Sequence, residues 1–292
     1  MNSSSILTQL IVGLSRTMIL FIVSSGMSLI LGVLRIPNVA HGSFYMIGAF
    51  LSYTITSFLG EGSYSFWLGI TLAPIIVGLI GFFLERGFFS YLYEREHLML
   101  LLLTFGFASI LGDLVKLTWG AEYRTMNTPA FLQGSADFFG LPIPNYNLFL
   151  LLIGPVIAII LWFIFNKTKF GKIARAAAVD KEMVSAVGIN VNLIFSLTFV
   201  FGCLLAGLGG ALIAPIVNIS LGMDHSLIME VFLIVIIGGL GNIWGALLGS
   251  LIFGITQSFG ILIWPQFGII FPYLAVVIVL LIRPRGLLSS TW

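Results

Sequence analysis

Long apolar stretches separated by short polar loops make up most of this chain, and they leave few folds open to it. Of the 292 residues, 59% are hydrophobic and only 8% are charged, whereas a soluble globular protein has about 25% charged residues. Only helices and closed barrels satisfy their backbone polar groups inside lipid. Because the apolar stretches lack the alternation of barrel strands, the sequence predicts an all-α, polytopic bundle of transmembrane helices.

The lengths of these stretches predict about 8–9 spans within a single transmembrane domain, residues 1–292. A helix needs about 20 residues to cross a bilayer core of about 30 Å. No Lys or Arg precedes the first apolar residues and no clear cleavage site follows them, so we expect this segment to be retained. The candidate spans are 17–34, 43–59, 66–84, 98–118, 147–165, 193–214, 227–245, 246–263 and 267–282.

The distribution of positive charge predicts how the bundle is oriented, because Lys and Arg concentrate in cytoplasmic loops. Arg124 is the single Lys or Arg residue in loops 119–146 and 215–226, and we therefore expect both loops to be external. The N-terminus is then external, and the C-terminus and Arg35 are cytoplasmic. The loops that we expect to be cytoplasmic carry Arg86 and Arg95, then Lys167, Lys169, Lys172, Arg175 and Lys181, and in the tail Arg283 and Arg285.

Residues 167–190, called the insert below, are the longest polar interruption of the chain. An Ala-rich run over 172–187 predicts one helix, and Gly188 stands where a C-terminal cap residue is expected. An isolated helix of this length is marginal in water, so we expect it to pack against the membrane domain or a partner. The insert is therefore either a docking surface or an ordinary loop with a surface helix.

Residues 35–42 interrupt the apolar pattern between the first two candidate spans. Pro37 removes a backbone donor, and Asn38 and His41 add polar side chains. The segment is either a short cytoplasmic hairpin loop or an unwound part of a permeation path.

A second interruption is the glycine-rich run 238–249. Gly241, Gly245 and Gly249 recur every four residues, which predicts one helix face for close packing. Asn242 lies among them and needs a partner or water, because an unpaired amide is costly in apolar surroundings.

Patterns for catalysis and for metal binding are missing from the sequence. His41, His97 and His225 share no metal-binding spacing, and the single Cys203 excludes a disulfide framework. Without a Gly-x-x-x-x-Gly-Lys-Ser/Thr run, the chain has no P-loop to hydrolyse ATP. The net charge of +2 does not indicate nucleic acid binding. We therefore predict no bound metal or cofactor and no enzyme activity.

Arg16 and Glu230 are ionisable residues close to the predicted ends of spans. Charged side chains near a span end commonly reach the membrane interface, and we expect these two to do so.

Four blocks of the sequence stand out: GMSLILGVLRIPNVAHGSFYMIGAFL (26–51), FGKIARAAAVDKEMVSAVGIN (170–190) running into SLTFVFGCLLAGLGGAL (196–212), GGLGNIWGALLG (238–249) and RPRGLL (283–288). The N-x-A-H-G and R-A-x-x-x-D runs within them are the most specific. Together the blocks resemble the H-type membrane permease subunit of bacterial branched-chain amino acid ABC importers. Their order and spacing extend the resemblance over essentially the whole chain.

The resemblance implies a set of partners in the bacterial inner membrane and beside it. These are a second, M-type permease subunit, two cytoplasmic ATPase subunits that use ATP and Mg, and a periplasmic substrate-binding protein. The resemblance makes loop 166–190 the site of ATPase coupling, through Gly171, Arg175, Ala176, Asp180 and Gly188. It assigns Asn38, Ala40, His41 and Gly42 to a family motif.

We expect Asn38, His41, Gly42 and Asn242 to line the translocation path. Arg35 departs from the small or apolar residue more common in the resembling proteins. That departure favours a solvated Arg35 and argues against deep burial of the whole segment 35–42.

The predicted function is the transport of branched-chain or other hydrophobic amino acids by alternating access. A permease of the same family for another small solute, such as urea, amides or aromatic carboxylates, is the alternative. Two further classes remain open: a stand-alone secondary transporter or channel, and an intramembrane enzyme that uses His41, His225 and Glu230.

Overall fold

The computed structural model describes residues 3–60, 62–93, 97–138 and 141–288, and these are mostly helical. Three short 3₁₀ helices lie in the loops of this part, at Phe89–Leu92, Ala130–Leu132 and Pro265–Phe267. The α-helices are α1 (Ser3–Leu34), α2 (His41–Leu59), α3 (Ser63–Gly87), α4 (His97–Trp119), α5 (Asn145–Lys167), α6 (Lys169–Val179), α7 (Lys181–Ala186), α8 (Val191–Ile213), α9 (Met223–Gly238), α10 (Ile243–Ile263) and α11 (Ile270–Ile282).

The helical bundle predicted from the apolar stretches is confirmed, and each candidate span overlaps a helix. Six helices of the described chain are long and apolar enough to cross a membrane: α1, α3, α4, α5, α8 and α10. Helices α9 and α11, with 16 and 13 residues, are shorter than the usual span of about 20 residues. The protein is thus a multi-pass helical membrane protein.

The predicted span 227–245 is wrong at its C-terminal end. Helix α9 stops at Gly238, and the chain turns through residues 239–242, called the glycine turn below. Gly239 and Gly241 have φ of 104° and 78°, which glycine adopts without the steric cost other residues incur. Gly241 therefore lies outside the helix, and the predicted face of Gly241, Gly245 and Gly249 keeps only its last two members.

A short hairpin follows α4 and lies outside the apolar stretches. Its strands are β1 (Ser135–Phe138) and β2 (Leu141–Pro144), antiparallel with Ser135 opposite Pro144. A backbone bridge joins Arg124, in the loop that follows α4, to Ile219 between α8 and α9.

Close contacts between backbones hold the bundle together around α1 and α8. Helix α1 packs against α8 and α10, and α8 also packs against α2 and α3. A Cβ atom added at Gly26 of α1 would lie 2.7 Å from the Gly202 carbonyl oxygen of α8. Small residues permit such approach, which matters in lipid because van der Waals packing is a main attraction between helices there.

The insert forms two helices, α6 and α7, so the prediction of one helix over 172–187 is wrong. The break falls at Asp180, whose side chain accepts a hydrogen bond of 2.9 Å from the Met183 amide and so caps α7. Asp favours such N-cap positions over helix interiors. Gly188 follows α7 with φ of 84°, and its amide donates to the Ser185 carbonyl, as predicted for a capping glycine.

Candidate functional site

Residues 35–40, called the unwound segment below, connect α1 to α2 without helical structure. Ile36, Asn38 and Ala40 are buried inside the bundle, with exposures of 2%, 0% and 0%. The Thr104 hydroxyl of α4 accepts from the Val39 amide at 3.3 Å. Non-helical backbone is tolerated in membrane proteins where it is buried in protein or lines a cavity. Of the two interpretations, the burial favours an unwound segment over a surface hairpin.

The expectation of a solvated Arg35, in a segment 35–42 that is not deeply buried throughout, agrees with the structure. Arg35 is exposed, as expected, but burial begins with the next residue. The reason is that the chain turns at Arg35, which has a φ of 58°, and then runs back into the bundle.

Asn38 and His41 bring polar atoms into the core that lack partners within the described chain. Both Nδ2 and Oδ1 of Asn38 are buried without a hydrogen bond. His41 Nε2 lies 3.0 Å from the Val23 carbonyl oxygen, so this nitrogen carries the proton and donates, whereas Nδ1 has no partner. An unpaired buried polar group costs about 1–3 kcal/mol, so these atoms are available to a polar ligand or water.

Gly42 lies where the first turn of α2 touches the first turn of α9. A Cβ atom added at Gly42 would stand 2.6 Å from the Asp224 carbonyl oxygen. Beside it, the Ser43 hydroxyl donates to Asp224 Oδ2 at 3.2 Å, and Asp224 is only 5% exposed. Two helix N-termini therefore meet at a buried carboxylate, where their dipoles favour negative charge. Sequence reasoning missed Ser43 and Thr104, whose small hydroxyls carry no distinctive pattern.

Asn242 finds its partners in the helix that it begins. Its Oδ1 accepts hydrogen bonds from the amides of Trp244 (3.0 Å) and Gly245 (3.1 Å), which makes it the N-cap of α10. In the described residues no hydrogen bond joins it to Asn38, His41 or Gly42. The structure thus brings three of the four predicted path residues together and places Asn242 in the glycine turn, against the end of α1 at Gly32.

The predicted coupling residues divide into those that hold the insert and those that face outward. Gly171 packs directly on the Phe165 backbone of α5, where a Cβ atom would clash. Arg175 Nη1 donates to Asn166 Oδ1 at 2.8 Å. By contrast, Ala176, Asp180 and Gly188 are exposed. The first two fasten α6 to α5, and the other three leave a surface open to a partner.

Arg35 connects the insert to the unwound segment. Its Nη2 donates to the Ala178 carbonyl oxygen at 3.0 Å, in the last turn of α6. Carbonyls at a helix C-terminus lack partners within the helix and attract cations. Positive φ is sterically unfavourable for a residue other than glycine. A cleft of about 760 Å³ lies between Arg35 and α7 and is lined also by Tyr91 and Glu182.

The C-terminal RPRGLL block has a structural role beside the glycine turn. The amides of Leu287 and Leu288 donate to the carbonyls of Ile237 (2.7 Å) and Gly238 (3.1 Å). The tail thereby satisfies carbonyl groups at the C-terminus of α9.

Arg16 and Glu230, which we expect to reach the membrane interface, form an ion pair with each other. Arg16 Nη2 lies 3.1 Å from Glu230 Oε1, joining α1 to α9. No hydrogen bond in the described chain joins His41, His225 and Glu230 as an enzyme site would require. Nor do the described residues contain a group of three or more His, Cys, Asp or Glu side chains that could hold a metal ion.

A bundle of candidate membrane spans with a buried non-helical segment defines a multi-pass membrane protein. The family described as the branched-chain amino acid transport system permease component matches residues 9–282, and the chain belongs to this family. The family description is of a permease, which agrees with the prediction of a transport subunit rather than an enzyme.

Individual relatives cover most of the chain. It is 28% identical to the high-affinity branched-chain amino acid transport system permease protein BraD of Pseudomonas aeruginosa, over 97% of this chain and 95% of the relative. The corresponding LivH protein of Salmonella typhimurium is 27% identical, over 92% and 90%. The LivM protein of that organism is 22% identical, over 95% of this chain and 69% of the relative.

Proposed function

We propose that this chain is the H-type permease subunit of an ATP-binding cassette importer for branched-chain or other hydrophobic amino acids in the bacterial inner membrane. The observation that carries the proposal is the family match over residues 9–282. The H-type assignment is supported by the relatives, since identity and length agree better with BraD and LivH than with LivM.

The proposed topology has nine spans, α1–α5 and α8–α11, with an external N-terminus and a cytoplasmic C-terminus. Contacts between loops support it, because segments assigned to one side touch each other. Arg35 contacts the insert, and the tail contacts the end of α9. On the opposite side, Arg124 pairs with Ile219. Of the charges behind this orientation, Arg95 lies outside the described residues.

The proposed partners are a second, M-type permease, two cytoplasmic ATPase subunits that use ATP and Mg, and a periplasmic binding protein. Much apolar surface of the chain is open to lipid and to the second permease: only 33% of the most apolar window of α4 and 28% of that of α5 are buried. The polar insert offers the ATPase subunits the outward-facing residues Ala176, Asp180 and Gly188.

The proposed mechanism is alternating access driven through the insert. Movement of an ATPase subunit displaces α6, which Gly171 and Arg175 hold against α5. The bond from Arg35 to Ala178 passes the displacement to the unwound segment. Asn38, His41 and Gly42 line the path there, and Asn242 begins α10 at the glycine turn, where α9 and α10 can move relative to each other.

Reconstitution of the complete importer in proteoliposomes tests this proposal. We expect the binding protein to stimulate ATP hydrolysis and uptake when loaded with leucine, isoleucine or valine. Stimulation only by a urea, an amide or an aromatic carboxylate would move the chain to the alternative substrate class. Uptake by this chain without ATPase subunits would refute the importer.

Substitutions in the insert test the coupling role. Asp180→Ala removes the exposed side chain that caps the N-terminus of α7. Arg175→Ala removes the hydrogen bond to Asn166 that holds α6 against α5. We expect both to leave membrane insertion intact and to raise the ATP hydrolysed per amino acid transported, by about threefold or more. Glu182→Ala, on an exposed neighbouring position, is the matched control. Full, tightly coupled transport by both variants would contradict the assignment.

A further inference from the structure

A small cavity lies where α1, α2 and α9 meet the end of α8. It has a volume of about 180 Å³ and contains both members of the Arg16–Glu230 ion pair in its wall. Drug-sized ligands occupy about 300–1,000 Å³, so this space suits a much smaller molecule. In the proposed topology the cavity is on the external half of the bundle, because it includes the C-terminal end of α8 and the N-terminal half of α9.

The charged part of the cavity offers one group of each sign. Arg16 Nη2 lies 3.1 and 3.2 Å from the two Glu230 oxygens, so a single guanidinium nitrogen contacts the carboxylate. The Arg16 side chain is 45% exposed and that of Glu230 13% exposed. Both groups therefore can be reached, and each retains hydrogen-bonding capacity beyond the bond between them.

The rest of the wall is mostly apolar and is contributed by separate helices. Ile19 and Leu20 come from α1, Leu227 comes from α9, and all three are buried. Tyr45 of α2, which is 5% exposed, also lines the space. An opposite pair of charges beside a branched aliphatic surface matches the two ends of an α-amino acid with a hydrocarbon side chain.

We propose that this cavity binds the transported amino acid as a zwitterion. The Arg16 guanidinium binds the carboxylate, the Glu230 carboxylate binds the ammonium group, and Ile19, Leu20 and Leu227 contact the aliphatic side chain. The ligand enters between the two side chains and replaces one ion pair by two. Because both the pair and the zwitterion are neutral overall, binding adds no uncompensated charge. This inference rests on the proposed function and names a substrate site for it.

Protection of an introduced cysteine measures occupancy without the binding protein. Ser226→Cys places a thiol on the exposed rim of the cavity. Cys203, the single native cysteine of the chain, is fully buried and gives little background. In the complete permease–ATPase complex in nanodiscs, we expect leucine to slow maleimide labelling. Leucinamide lacks the carboxylate and 4-methylpentanoate lacks the ammonium group, so neither should protect to within about tenfold of leucine.

A cysteine elsewhere separates occupancy from a general conformational change. Ser57→Cys lies on another exposed cavity, between α2 and the chain after α4. Leucine should leave its labelling unchanged. Equal protection at both positions, equal protection by the two analogues, or no protection by leucine each overturns the site.

Neutralising the ion pair supplies a second measurement. Arg16→Gln with Glu230→Gln keeps two side chains able to hydrogen-bond between α1 and α9, and removes both charges. We expect leucine to protect Ser226→Cys at least about tenfold less well in this background. Glu122→Gln, in the exposed pair with Arg124, is the matched control and should change nothing. Co-purification verifies that the variant assembles with the partner subunits. If it does not, the comparison of leucine with leucinamide and 4-methylpentanoate in Ser226→Cys alone tests the site.

Transport by the unaltered importer distinguishes this inference from the proposed function. If the importer carries leucine and leucine does not protect Ser226→Cys, only the site is wrong. If it carries no amino acid, the proposed function fails as well.

Discussion

The unwound segment and the glycine turn both interrupt the bundle between two helices, and both contain an asparagine. The side-chain oxygen of Asn242 accepts hydrogen bonds from the amides of Trp244 and Gly245. Asn38 is completely buried, and neither of its amide atoms has a partner in the described chain. The same residue type therefore completes the local structure in one break and leaves polar atoms unpaired in the other.

The backbone conformation of the glycine turn also differs from that of the unwound segment. The glycine turn takes its positive φ angles at Gly239 and Gly241, where no side chain opposes them. The unwound segment takes its positive φ at Arg35, at a steric cost that an arginine must offset by its bond to Ala178. We conclude that the glycine turn is relaxed and the unwound segment is strained, and strain of this kind concentrates at functional sites.

The largest effect is expected from a larger side chain at Gly42, where α2 contacts α9 directly after the unwound segment. Gly42→Ala adds a methyl group 2.6 Å from the Asp224 carbonyl oxygen, which forces α2 and α9 apart. Overpacking costs about 1–3 kcal/mol, so we expect transport to fall about tenfold or more and the thermal stability of the complex to drop. Gly112→Ala, where an added Cβ meets open space, should leave both measurements unchanged. Wild-type transport by Gly42→Ala would mean that the junction can adjust.

An intermediate effect is expected at Asn38 and Asn242, whose alanine variants should change stability and transport in opposite ways. Asn38→Ala removes a buried amide without partners, so we expect unchanged or higher stability, because about 1–3 kcal/mol of desolvation cost disappears. Its transport should nevertheless fall about tenfold, since the amide is proposed to line the path. Asn242→Ala removes a helix cap and should cost about 1 kcal/mol of stability while transport largely persists. Uptake assays and melting curves of the two variants test this prediction. The reverse pattern would mean that Asn242 lines the path and that Asn38 serves mainly to stabilise the fold.

The smallest effect is expected at Arg35. Arg35→Gly relieves the positive φ but removes the bond to Ala178, so strain relief and hydrogen-bond loss, each about 1–2 kcal/mol, nearly cancel in stability. Coupling should suffer, with about threefold more ATP hydrolysed per substrate. Arg35→Lys, which keeps a donor and the charge, is the control and should retain most of the coupling. An unaltered ratio in Arg35→Gly would show that the insert reaches the unwound segment by another route.

Sequence reasoning succeeded where structure depends on neighbours along the chain. The apolar stretches located the helices, and Gly188 was recognised as a helix-ending residue. It failed where a capping residue or a glycine competed with helix continuation: Asp180 divides the insert, and Gly239 and Gly241 end α9 early. At Asp180 the surrounding Ala-rich run favours one continuous helix, and at the glycine turn the four-residue spacing of the glycines fits a helix face equally well. Neither local pattern shows whether the helix continues.

The sequence by itself determined that this chain forms a bundle of apolar helices, because the need to satisfy backbone hydrogen bonds in lipid acts on each stretch separately. It also carried the blocks by which the family is recognised. Only the tertiary structure decided that the chain buries Asn38, that Arg35 reaches Ala178, and that Arg16 pairs with Glu230, 214 positions away. These contacts depend on which helices pack side by side, and no local pattern in the sequence specifies that choice.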